Sequence, residues 1–339
     1  MLKALGEVHF VDGHQLHVTA SIGISIYPDD GIGAETLIEN ADNAMYRAKK
    51  NECQGCQFYS PELNVCTFEG QFTSEDLRLA LERNELTLHY QPKVNLKTGT
   101  ITGAEALSRW NHPTRGAILP GQFIPIAEES GLILPIGAWV FSEACTQARA
   151  WAAAGVPAKT IAVNVSGVQF QSEDFLDGLF AILSKNGMDP EFLELDVAEC
   201  VLMRHPERTA FVLKALREKG VQVSVDNFGT GNSSLSSMQK LPLKALKIDR
   251  SFIRQITTIP GGTATVGEFI NMGRSLDLQV IAQGVETAED LEFLWEHECD
   301  EAQGNFFSRA VPPDQLTKLL QPNLTLRDGP AAIHPSEQN

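Results

Sequence analysis

From residue 76 to residue 320 the chain repeats one cycle: a short apolar run, one or two polar residues, then a helix-period stretch that often closes on Gly or Asn. TIAVNVS leads into FLDGLFAILSKNG, FLELDVAE into PERTAFVLKALREKG, ALKIDR into TATVGEFINMGRSLD, and LQVIAQGV into AEDLEFLWEHEC. Side chains alternate every two residues in a strand and every 3.6 in a helix, so each cycle reads as one strand followed by one helix. Ahead of these cycles, LTLHYQPKVNL (86–96) and TITGAEALSRW (100–110) are strands separated by the turn KTG. Seven or eight strands alternating with helices predict an α/β fold, a (β/α)8 TIM-like barrel rather than an open sheet.

Residues 1–60 do not share this rhythm. QLHVTASIGISIYP reads as a strand, DDG as a turn, and GAETLIENADNAMYRAKKN as a helix with Leu37, Ile38, Ala41, Ala44, Met45 and Ala48 on its apolar face. One helix with two strands cannot enclose a core, so this is part of an α+β unit and should leave apolar edges open. Residues 61–75 read as a linker and 321–339 as a disordered tail.

A net charge of −16 argues against binding polymeric nucleic acid, which needs a basic footprint. It leaves room for a small phosphorylated ligand, because a bound cation inverts the local field. The six cysteines suggest no disulfide framework, and the single CxxC of Cys53 and Cys56 is a weak metal or redox signal. With no signal-peptide pattern and no apolar run of about 18 residues, the expectation is a cytoplasmic protein without a membrane span.

Chemistry in such barrels sits at the C-terminal ends of the strands. The first polar residues after each apolar run are Glu105, Asn164, Glu199, Asp226 with Asn227, Lys247, Gln283 with Glu286, and Gln303. Any one alone is as readily a solvated loop residue. Carboxylates and amides dominate the set, hard oxygen ligands suited to Mg²⁺ or Mn²⁺.

YQPKVNLKTGTITGAEALSRWNHP, with Glu105, Ala106 and Leu107 in succession, resembles the opening block of the EAL family. NVS, DNFGTGNSSL, LKIDRSFI, AQGVET and AQGNFFSRAVPP follow in that family's order across 76–320. TASIGISIYPDDG and NADNAMYRAKKN resemble the C-terminal part of a GGDEF (diguanylate cyclase) domain, without that family's signature loop, so these 339 residues are not expected to act as a cyclase.

The resemblance implies a cyclic-di-GMP signalling protein. It implies Glu105, Asn164, Glu199 and Asp226 as ligands of a first Mg²⁺ or Mn²⁺, with Asp226 bridging to a second. Lys247 would orient the attacking water and Glu286 would support the site. Gln91, Leu107, Arg109 and Gln303 would contact the dinucleotide. Active members hydrolyse cyclic-di-GMP to pGpG with two metals.

Two positions depart from that pattern. Asn227 stands where active members carry a second aspartate, and Gln283 where they carry a glutamate. Amides keep the shape but lose the charge and the ability to accept a proton. The expectation is a barrel that binds cyclic-di-GMP with hydrolysis weak or lost. The alternatives are a working metal-dependent phosphodiesterase and a non-binding scaffold or truncated product. Milder departures are Asp196, Ala198 and Cys200, where Glu, Thr and Ser are usual, and Asn232. Cys200 reads as a small buried thiol. The helix after the DNFGTG loop is the expected homodimer contact.

Overall fold

A computed structural model describes residues 9–11, 14–16, 21–50, 56–59, 72–156, 159–230, 238–258 and 262–320. The expected tail, residues 61–71 of the expected linker, Cys53, Asn232 and the first half of the helix expected after the DNFGTG loop (233–237) lie outside them. The chain divides into two compact units, Met1–Leu79 with Ile118–Leu132, and Ala80–Ala117 with Ile133–Asn339.

In the first unit β1 (His9–Val11) pairs antiparallel with β2 (His14–Leu16), and β3 (Ile22–Ile24) is followed by helix α1 (Ala34–Lys50) and β4 (Cys56–Phe58). β3 and β4 are parallel, with Ile22 opposite Cys56. The helix lies close on β3: a Cβ on Gly23 would strike the backbone of Ala41 and Met45. Ala44 and Ala48 are buried, but Ile38 and Met45, from the same expected apolar face, are 70% and 38% exposed. Ile26, Ile32 and Phe58 are exposed as well. One helix against so small a sheet covers only a narrow stripe of itself.

Helix α2 (Ser74–Glu82) begins within the last residues of the stretch expected to be linker. A capping box sets the start, with Asp76 Oδ2 accepting from Thr73 N at 2.7 Å and Thr73 Oγ1 accepting from Asp76 N at 3.2 Å.

The second unit is the barrel. Its strands are β5 (Leu86–Asn95) and β6 (Ile101–His112), with the short β7 (Gly116–Ile118) beside β6. Helix α3 (Pro120–Glu129) falls in the first unit; in the second, α4 (Ile133–Ala153) precedes β8 (Thr160–Val165), α5 (Gly167–Gln171) and α6 (Phe175–Asn186). β9 (Leu193–Ala198), α7 (Glu199–Arg204), α8 (Pro206–Glu218) and β10 (Gln222–Phe228) follow. After β11 (Ala245–Ile248) come α9 (Arg250–Ile253), α10 (Gln255–Thr258) and α11 (Gly262–Ser275). β12 (Gln279–Gln283), α12 (Ala288–Glu296), β13 (Glu301–Gln303) and α13 (Pro313–Leu319) complete it.

The order β5-β13-β12-β11-β10-β9-β8-β6 closes on itself through β5–β6. The expected barrel is present with one refinement: β5 runs antiparallel to both neighbours, while the strands from β6 through β8 to β13 run parallel. The turn after Asn95 is too short for a parallel return, which needs a dozen residues or more, and Asn95 Oδ1 fixes it by accepting from Lys97 N and Thr98 N.

The strands carry their apolar side chains outward. Leu193, Leu195 and Val197, and likewise Val223 and Val225, join the apolar cluster that the helices cover. The alternate positions, Glu194, Asp196, Ser224, Asp226 and Lys247, are buried polar residues that bond one another across the barrel. Period-two alternation thus yields a polar lumen inside an apolar jacket.

Candidate active site

Strand register brings the expected residues together. Gln91 lies opposite Glu105, Asn164 beside Asp196, Asp226 beside Ala198, and Gln283 beside Gln303. Asn164 Nδ2 donates to Glu105 Oε1 at 2.6 Å. Gln303 Nε2 donates to Glu105 Oε2 at 2.8 Å and to Gln91 Oε1 at 2.9 Å. Lys247, fully buried, stands at the centre. Its Nζ lies 2.6 Å from Asp196 Oδ2, 3.1 Å from Glu105 Oε2 and 3.7 Å from Asp226 Oδ1.

Three carboxylates against one ammonium set the electrostatics. Burial alone would lower the Lys247 pKa, but Asp196, Glu105 and Asp226 outweigh it and hold the value well above the usual lysine range. Burial opposes the charge on Glu105 too, yet Lys247 and hydrogen bonds from Asn164, Gln303 and Lys247 keep its pKa below normal. Asp196 carries the cost: burial, with Glu105, Glu194 and Asp226 nearby, pushes its carboxyl up to about 8 despite Lys247. Asp226 is likewise raised, by burial and by Glu105.

Asp196 is the residue that sequence reasoning undervalued, ranking it a mild departure. The available signal was strand alternation: in LELDVA, Glu194 and Asp196 fall on the lumen side between outward Leu193, Leu195 and Val197. Glu199, the expected metal ligand, is buried at the start of α7, and its Oε2 accepts from Gly229 N at 2.9 Å. It thereby anchors the loop after β10.

The two amide positions behave differently. Gln283 Nε2 donates to Asp226 Oδ1 at 3.0 Å. Asn227 is exposed, with its backbone in the left-handed region at φ 53°, where Asn costs less than most residues, and its carbonyl accepts from Thr230 Oγ1 at 2.7 Å. Glu286 is exposed and its Oε1 pairs with Arg254 at 3.2 Å. Arg109 and Leu107 are half-buried on β6; the Arg109 guanidinium donates to the Ser108 carbonyl, and burial lowers its pKa. Cys200 corrects the expectation of a buried thiol: it is half-buried and disulfide-bonded.

The donor set suits a hard divalent cation. Carboxylates of Glu105, Asp196 and Asp226 surround one ammonium, the Asn164 amide bonds Glu105, and Asp196 Oδ1 and Gln303 Oε1 are buried without a hydrogen-bond partner. The carboxylates close around Lys247 rather than an ion-sized gap: among the described residues no cluster of three or more His, Cys, Asp or Glu forms a cage. No helix among the described residues is long and apolar enough to cross a membrane.

Known proteins carry the same architecture. The chain is 41% identical over 316 residues to the bifunctional diguanylate cyclase/cyclic di-GMP phosphodiesterase MucR of Pseudomonas aeruginosa, covering 93% of this chain and 46% of that protein. It is 39% identical over 321 residues to the cyclic di-GMP phosphodiesterase NbdA of the same organism, covering 95% of this chain and 41% of that one. The chain thus spans less than half the length of these relatives. Among solved structures, a PaMucR phosphodiesterase in complex with c-di-GMP superposes with a TM-score of 0.70 at 44% identity, covering 71% of this chain and 98% of that one. The EAL enzyme Bd1971, bound to cAMP and cyclic-di-GMP, superposes with a TM-score of 0.69 at 33% identity, covering 73% of this chain and 68% of that one. Residues 1–54 match the diguanylate cyclase GGDEF domain. Residues 74–310 match the EAL domain, and with the barrel and its Lys247-centred carboxylates in place, this chain belongs to the EAL domain family.

Proposed function

We propose that the barrel binds cyclic-di-GMP at its mouth and hydrolyses it weakly or not at all. The supporting likeness is to the PaMucR phosphodiesterase complexed with c-di-GMP, at 44% identity. The observation that carries the loss of turnover is the Gln283 Nε2 to Asp226 Oδ1 hydrogen bond of 3.0 Å. A glutamate at 283, ionised, would repel Asp226 and need a cation between them; the amide donor satisfies Asp226 without one. Asn227 removes a second carboxylate, and Asp196 is one methylene shorter than the usual glutamate.

Glu105, Asn164 and Asp226, with Glu199 or Asp196, would hold a Mg²⁺ or Mn²⁺, which supplies activation of water and charge neutralisation at phosphate. Lys247 holds its proton and a fixed positive charge beside Glu105, positioned to orient a water. The Arg109 guanidinium would meet a phosphate, and Gln91, Gln303 and Leu107 would complete the ligand wall. Glu286 acts from the loop after β12. The second reading, a metal-dependent phosphodiesterase giving pGpG, is favoured by one observation: the contact of Lys247 with Glu105 is intact at 3.1 Å. We also place a homodimer contact on the helix after the β10 loop, to be checked by sedimentation with Asp226 substituted and ligand added.

The test is calorimetric titration of cyclic-di-GMP with Ca²⁺, then Mn²⁺, followed by chromatography for pGpG. Tight binding without pGpG supports the receptor reading. Accumulating pGpG supports the phosphodiesterase. Under the first reading, the double variant Asn227→Asp with Gln283→Glu gains hydrolysis by about 10²-fold or more, the scale of restoring general-base catalysis.

A further inference from the structure

We infer a second ligand site, for a small phosphate-bearing anion, in a groove between helix α8 and the segment that leads into β11. Ala210, Lys214 and Arg217 stand at intervals of four and three residues, which places them on one face of α8. Opposite them are Gln239, Lys240, Leu241 and Pro242, and the groove between, open to solvent, has a volume of about 330 Å³. Three cations and an amide line it, and no carboxylate does.

This clustering runs against the chain as a whole, which has 27 basic and 43 acidic residues. Among the described residues neither the Arg217 guanidinium nor the Lys240 ammonium has an ion pair or hydrogen bond. Lys214 has only Glu218, one turn on, at 3.9 Å with both side chains mostly exposed. A pair like that is worth little and yields readily to a better anion. Unneutralised cations facing each other across a concavity repel, and a di-anion between them removes that cost. Arg supplies a planar fork for phosphate oxygens and Lys a point charge. Ala210 and Pro242 add an apolar wall that suits the carbon part of a nucleotide.

The groove is separate from the mouth. α8 feeds the first residue of β10, and Pro242 lies three residues before the first of β11, so both walls end at the N-terminal ends of strands whose other ends carry Asp226 and Lys247. The inference therefore stands independently of cyclic-di-GMP binding.

The probes are inorganic pyrophosphate and ADP, titrated at low salt into the full chain and into an Arg217→Ala, Lys240→Ala double variant. Both positions are exposed, and thermal melting confirms that the variant is folded. Saturable binding that weakens tenfold or more in the variant supports the site. ADP binding more tightly than pyrophosphate makes the occupant a nucleotide, and equal affinity makes it the phosphate group alone. The inference is overturned by absence of saturation, by binding that the double variant leaves unchanged, or by a polyglutamate peptide that binds where neither phosphate probe does.

Discussion

At the residue scale the most consequential group is Asp196. Its carboxyl is pushed up to about 8 from the usual aspartate value of 3.8, chiefly by burial. Between those values an unfolded chain has released the proton and the fold retains it, so stability falls as pH rises through this window and levels above about 8. Chemical denaturation from pH 5 to 8 without divalent cation reads this slope, and Asp196→Asn flattens it. A cation reverses the demand, because coordination requires the ionised carboxylate. Mn²⁺ affinity is expected to rise with pH up to about 8 and binding to release a proton, read by calorimetry in buffers of different ionisation enthalpy. Proton release independent of Asp196→Asn would show that another group carries the titration.

At the element scale the loop after β10 depends on one backbone position. Gly229 has φ 94°, its N–H donates to Glu199, and a Cβ there would lie 2.8 Å from the rings of Phe252 and Phe269. Those rings meet edge to face at 5.0 Å, and Phe269 also packs on Phe228 at 5.2 Å. Gly229→Ala is therefore strained twice, by conformation and by crowding. The expected cost is about 1–3 kcal/mol in urea unfolding, with weaker cyclic-di-GMP binding as the loop beside Asp226 shifts. An unchanged midpoint would mean that the two rings move apart freely. This loop was legible in the sequence as DNFGTG, but its anchor was not. Glu199 reads as a strand-end ligand in one dimension, and only the neighbouring strand brings the Gly229 N–H to it.

At the scale of the whole barrel a second buried ionic group sits in the lumen. Lys93 Nζ lies 2.6 Å from Glu194 Oε2, Ser224 Oγ donates to Glu194 Oε1 at 2.6 Å, and Lys244 approaches at 3.7 Å. These bonds join the antiparallel β5 to β9 and β10 through the barrel interior. Burial opposes the charge of Glu194, but Lys93, Lys244 and the hydrogen bonds hold its pKa down to about 2. That stabilisation is complete above the ordinary value of 4.5 and is lost as pH falls from there toward 2, the opposite slope to Asp196. Lys93→Met leaves Glu194 buried with only part of its compensation, and should cost about 3–5 kcal/mol by denaturant unfolding. Replacing Lys93 and Glu194 together with apolar residues should recover much of this loss.

The sequence by itself determined the barrel. Period-two and period-3.6 patterns are local, and alternating them leaves few architectures that bury every apolar face. It also named candidate residues at the strand ends, because a strand-to-helix switch marks each strand's C-terminal end; six of those nine, Glu105, Asn164, Asp226, Lys247, Gln283 and Gln303, are joined by hydrogen bonds or ion pairs. Tertiary structure decided what each residue meets. Asp196 rather than Glu199 touches Lys247, Gln283 bonds Asp226, and β5 runs against its neighbours. These outcomes depend on strand register and barrel closure, which join residues far apart in the chain. The basic groove on α8 belongs to the same class: half of it was visible as helical spacing, and the other half comes from a segment that only the fold lays beside it.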